Sequence, residues 1–176
     1  MQKNYMKPET PKAVVITQLQ KERDRLAGKV EEEQMRWKPS SDDWSILEVI
    51  NHLYDEERED FRTRLDLILR RPGDTWPPIH PSAWAVDRRY NERDPEESLA
   101  NFLVERRISL DWLRKLENPK WETQSTHPAG FVLSAGDMLA SWLAHDFLHI
   151  RQLNELQYGY HVLNVAPYGV VYAGEW

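Results

Sequence analysis

Residues 134–158 read SAGDMLASWLAHDFLHIRQLNELQY, and the fold follows from reading this stretch as one helix. Ser134, with Asp137 three positions on, gives it a capped start, and Gly159 stands where a helix can end. His145 and His149 then share one face a turn apart, with about 6 Å between their Cβ atoms. Two imidazoles so placed can hold one cation, because a neutral ring nitrogen offers its lone pair without a costly deprotonation. Spacing alone leaves another reading open, in which the pair is solvated or packed, since the chain has six histidines.

Outward from this helix the chain offers three more. Thr10 and Pro11 open the first, which is expected over residues 11–35 with Val15, Leu19, Leu26 and Val30 as its buried stripe. Ser45 and Glu48 form a capping box that opens the second, expected over 46–70 on a stripe of Ile46, Val49, Ile50, Leu53, Phe61, Leu65 and Ile68. His52 lies beside that stripe, with Glu48 and Glu56 four residues to either side on the same face. Asp94, Pro95 and Glu97 start the third, expected over 95–117 and stopped by Asn118 and Pro119.

The segments between are long. Residues 71–93 contain four prolines and read as a crossover with at most short helical turns near residues 83–89, and 120–133 form a second connection. His80 and His127 fall in these connections. Four amphipathic rods of similar length are buried most simply as a four-helix bundle, all-α, and two long connections make neighbours of helices that are not sequential. Residues 160–176 are aromatic and apolar, so the tail is expected to pack on the bundle or on a second subunit.

Composition narrows the function. The 176 residues are 40% hydrophobic and 30% charged with eight tryptophans, which excludes a disordered chain. There is no cysteine, so any metal must be held by nitrogen and oxygen and any thiol must come from outside. A net charge of −6 argues against a nucleic-acid backbone as partner. The arginines at 58, 62, 64, 70 and 71 alternate with acids, the pattern of a solvated, salt-bridged face. No secretory leader pattern and no long apolar run is present, so a cytoplasmic protein without membrane contact is expected.

Two of these stretches carry a family resemblance. WSILEVINHLYDEE resembles the second-helix signature of the DinB/YfiT-like superfamily, and LSAGDMLASWLAHDFLHIRQL resembles its fourth-helix signature, an H-x-x-x-H followed by glutamine. The resemblance implies a four-helix bundle with a three-histidine site, here His52, His145 and His149, that takes a divalent ion, usually nickel or zinc. It also implies a range of activities: transferases that use a low-molecular-weight thiol such as bacillithiol or mycothiol, and hydrolases. A small-molecule substrate is expected, and a homodimer is suggested both by the relatives and by the apolar tail.

Three imidazoles leave a coordination position for water or substrate, the arrangement of a catalytic site and not of a closed structural one. Glu48 and Glu56 are the candidates for catalytic base or for orienting His52, while Trp142 and Gln152, one turn before His145 and one turn beyond His149, are candidates for lining the cavity, with core packing the other reading and the favoured one for Trp142. A non-catalytic metal-binding protein stays open beside the transferase and the hydrolase. Metal affinity is expected to fall as the pH drops through about 6.5, where free imidazole takes up a proton.

Overall fold

The computed structural model describes residues 32–176. The expected first helix therefore lies largely outside the described residues, with its end visible as α1, Glu32–Arg36. The second helix begins at Ile46 under the expected cap: the Ser45 side chain accepts from the Glu48 N–H, and the Glu48 carboxylate accepts from the Ser45 N–H. It runs as α2 (Ile46–Asp55), a π-helical segment (Glu56–Phe61) and α3 (Arg62–Arg70). The π segment was not anticipated. No apolar residue stands between Tyr54 and Phe61, and Asp55, Glu56 and Glu57 are all buried there.

The crossover carries a short helix, α4 (Pro81–Asp87), near where helical turns were expected. The third long helix, α5, spans Pro95–Arg114 and stops three residues before the expected end, with Asn118 in a left-handed conformation (φ 46°) just beyond. Residues 124–126 and 132–134 pair as an antiparallel hairpin, β1 and β2, within the segment that the sequence predicts to be a connection.

The fourth long helix, α6, is Ala135–Asn164, capped at Ser134 as expected. It passes through Gly159 without ending. A Cβ at Gly159 would lie 3.2 Å from the Trp37 ring, so this glycine serves a close approach between α6 and the residues after α1. The tail accordingly begins at 165. It is exposed at Tyr168, Val171 and Tyr172, while of the expected tail over 160–176 Tyr160 meets the Trp37 ring at 5.6 Å and the Trp176 ring stacks on Tyr158 at 4.5 Å. Among the described residues no helix is long and apolar enough to cross a membrane.

Two apolar clusters hold the helices together. One joins Ile46, Val49, Ile50 and Leu53 of α2 to Phe102 of α5 and to Leu153 and Leu156 of α6. The other joins Phe61, Leu65 and Ile68 to Trp76 and to Ala135, Met138 and Trp142 of α6. Each fully buried aliphatic or aromatic side chain contributes about 1.5–3 kcal/mol, so these clusters supply most of the drive to pack.

A polar band separates the clusters. Arg106 of α5 is fully buried in it: its guanidinium donates to both oxygens of Asp146 on α6 (2.6 and 2.7 Å), and its Nε lies 2.7 Å from Glu57 of the π segment. Burial alone would lower the Arg106 pKa, but Glu57 and Asp146 hold it above the ordinary value. Asp55 faces the crossover instead, where it accepts from the Tyr90 hydroxyl and pairs with Arg88 at 2.6 Å. The charge-rich run is thus not simply a solvated face. Asp55, Glu56, Glu57 and Arg64 are interior groups because neighbouring elements cover the helix on several sides.

Far-ultraviolet circular dichroism should show helix well above the ~30–35% of an average domain. Arg106→Ala leaves Glu57 and Asp146 buried without their cation and should cost about 3–5 kcal/mol in chemical denaturation. A loss below about 1 kcal/mol would mean the band carries little of the fold.

Candidate metal centre

The polar band also holds the histidines. His52 projects from α2 beside the first apolar cluster, and His145 and His149 come from the stretch of α6 between Trp142 and Leu153. Their Nε2 atoms converge: His145 Nε2 lies 3.3 Å from that of His52 and 3.1 Å from that of His149. One ligand atom from each ring falls within 4.8 Å of the others, and among the described residues this is the group of its kind. Nitrogens bound tetrahedrally at 2.0–2.1 Å from one ion stand roughly 3.3 Å apart, so the spacing fits a shared cation.

The outer ring atoms test the fit further. His149 Nδ1 donates to Gln152 Oε1 at 2.8 Å, which fixes the tautomer that leaves the Nε2 lone pair free. Gln152 is therefore placed against a site histidine, one step behind the converging atoms. The buried Nδ1 atoms of His52 and His145 have no hydrogen-bond partner. Three rings whose Nε2 atoms meet this closely, two of them buried without a partner at Nδ1, are an expensive arrangement that a cation between them would relieve.

Burial and mutual proximity keep the rings neutral. Burial first, then His149 and His145, push the His52 pKa down to about 2. Burial and His149 push that of His145 to about 4, and burial also lowers that of His149. Their lone pairs are thus available well into the acid range. The expected loss of metal affinity through about 6.5 is corrected by this: proton competition at a buried cluster begins at lower pH than for free imidazole.

The carboxylates divide. Both Glu48 oxygens are engaged elsewhere, one by the Ser45 N–H at 2.8 Å and the other by Lys38 at 2.8 Å, so the structure uses Glu48 as a helix cap. Glu56 Oε1 lies 3.8 Å from His52 Nδ1. Burial, and next the nearby Asp60, raise the Glu56 pKa to about 9. Asp60 is in turn 2.9 Å from Arg64, whose guanidinium lies over the Trp76 ring.

Trp142 is 1% exposed in the second apolar cluster, stacks on Phe61, which itself lies against His145, and donates to Glu57 at 2.8 Å. Two aromatic walls were missed by sequence reasoning. Trp44 packs 4.7 Å from His52 and stacks parallel to His149 at 6.3 Å, and Phe61 lies 5.0 Å from His145. Trp44 just before the Ser45 cap was the available signal, because a residue at that position is carried back over the first turns of its helix. His80 is exposed, and His127 sits in the hairpin turn against Phe131 and Trp76, apart from the cluster. A surface cleft of about 450 Å³ between Leu69, Arg70 and residues 115–120 shares no residue with the site.

The DinB superfamily model matches residues 16–153. The chain belongs to the DinB superfamily. Among solved structures this DinB protein is similar to YfiT from Bacillus subtilis, described as a probable metal-dependent hydrolase with an unusual four-helix bundle topology. The TM-score is 0.73 over 92% of this chain and 93% of that one, at 18% sequence identity. The fold is thus the expected all-α four-helix bundle. No curated protein matches the sequence significantly.

The shifted groups set a pH profile for the metal-free protein. Unfolded imidazole titrates near 6.5, whereas His52 and His145 refuse protons until about 2 and about 4 in the fold. The unfolded chain therefore binds more protons below 6.5, and stability falls with acidification by about 1.4 kcal/mol per pH unit for each such ring. Glu56 has the opposite sign: its folded pKa of about 9 exceeds the ordinary 4.5, so its contribution is lost as the pH rises toward 9. Thermal melts of the metal-free protein should peak near pH 6.5, and a stability that climbs steadily from pH 6.5 down to 4 would contradict neutral site histidines.

Proposed function

We propose that this protein is a metal-dependent hydrolase whose ion is held by His52, His145 and His149. The observation that carries the reading is the meeting of three Nε2 atoms within bonding reach of one centre, with two of the same rings buried and unpartnered at Nδ1. The description of YfiT as a probable metal-dependent hydrolase supports the same direction. The absence of cysteine and the all-nitrogen donor set suit zinc or nickel. A divalent ion there supplies Lewis acidity at a remaining coordination position, enough to bring a bound water's pKa toward about 7.

The residues around it would do the rest. Gln152 keeps His149 presenting Nε2, and Trp44 and Phe61 wall the histidines with apolar surface, which strengthens electrostatic interactions by excluding water. Glu56, the nearest carboxyl to His52 among the distances above, is held protonated near neutral pH by burial and Asp60, so it is suited to hold a proton and not to remove one.

Zinc and nickel titrations of the untagged protein should give one ion per chain. Alanine at His52, His145 or His149 should weaken binding by more than the roughly 10–100-fold that loss of an outer partner costs, whereas alanine at His80, His127 or His161 should leave it unchanged. Stoichiometric binding that survives the His145→Ala, His149→Ala double variant would overturn the site.

An external thiol is the competing nucleophile at the same position, since the thiol-transferase resemblance requires one and the chain has none. A cobalt-substituted sample should show no sulfur-to-metal charge-transfer band when a low-molecular-weight thiol is added. Appearance of that band would favour the transferase over the hydrolase.

A further inference from the structure

The unpartnered His52 Nδ1 faces an equally unpartnered group. Glu56 Oε1 is buried without a hydrogen bond, lies 3.8 Å from that nitrogen, and belongs to a side chain 5% exposed. A ring that presents Nε2 to a cation must carry its proton on Nδ1, so His52 becomes an N–H donor aimed at an acceptor less than 1 Å beyond hydrogen-bond reach. Burial makes both orphans costly, and one small closure satisfies both.

The backbone supports the same pairing. Glu56 opens the π segment, and its N–H is shared between the His52 and Leu53 carbonyls, so the helix changes its turn at the point where this carboxyl must reach back one turn to the imidazole. Isolated π turns inside α-helices recur where a side chain has to be re-aimed at a functional site. Behind Glu56 stands Asp60, whose charge acts on the Glu56 carboxyl, and Asp60 lies 2.9 Å from the buried Arg64 Nε. Arg64 is itself clamped over Trp76 and donates to the Pro77 carbonyl.

We propose that Glu56 is the positioning residue that accepts the Nδ1–H of His52 when His52 ligates a metal, and that Asp60 and Arg64 hold Glu56 in place for it. The inference rests on the metal reading above. It assigns His149 and His52 separate outer partners, Gln152 and Glu56, one from each helix of the site.

The test is zinc titration of the full-length protein by calorimetry with a competing chelator. Glu56→Ala should bind one ion with affinity reduced about 10–100-fold, and Glu56→Gln, whose amide oxygen still accepts, should stay within about threefold of the parent. Nitrogen-15 spectra of the zinc-loaded parent should show His52 protonated at Nδ1 and ligated through Nε2, with the Nδ1 proton slowed in exchange; this readout needs no variant to fold. Unchanged affinity in Glu56→Ala while His145→Ala loses the ion would overturn the positioning role and leave the metal site standing. Ligation of His52 through Nδ1 would overturn it equally, and a parent that binds no zinc would remove both.

Discussion

A single buried guanidinium fixes the relation between the helices that carry the site. Arg106 reaches from α5 to Asp146 on α6 and to Glu57 in the π segment, and none of the three side chains has a solvent alternative. Asp146 is offset by about 100° from His145 and by about 60° from His149 on a 3.6-residue helix. Once Asp146 is locked onto α5, both histidines must turn toward α2. Glu57 does the same for the other wall, being five residues beyond His52. An apolar contact tolerates sliding and rotation, but a bidentate ion pair does not, so the band confers a register that the two flanking apolar clusters alone would leave loose.

That register brings together three rings whose preferences conflict. In the metal-free fold each imidazole is desolvated, His149 depresses the basicity of both His145 and His52, and two lack any partner at Nδ1. The centre is therefore a place where folding energy from the clusters is set against local polar dissatisfaction. Such an arrangement couples ligand binding to stability: whatever satisfies the lone pairs recovers what burial cost, and it does so only in the folded chain.

Much of this was legible in the residues. Ser45 with Glu48 and Ser134 with Asp137 announced two helix starts because capping is a local interaction, written within four residues. The spacing of His145 and His149 was legible for the same reason. The entry of His52 rested on resemblance, since a partner 93 residues away leaves no trace in local periodicity. Gly159 misled because glycine has two uses, ending a helix and admitting a neighbour, and the Trp37 ring that selects the second is distant in sequence. The hairpin was missed because strands of three residues are too short to show alternation. The acidic run after His52 looked solvated because its cations, Arg106 and Arg88, come from other segments.

The three consecutive acids at 55–57 give that run its logic. Asp55 takes the crossover, through Tyr90 and Arg88. Glu56 faces His52, and Glu57 takes α5 through Arg106. Successive side chains on an ordinary helix diverge by about 100°, so three in a row point to three different neighbours. A surface helix could not bury them all; one enclosed by the crossover, α6 and α5 can, provided each finds a partner of its own. The consequence is that the run is tied to its register: exchanging Glu57 with Arg58 would set a second cation against the buried Arg106, even with composition and net charge unchanged.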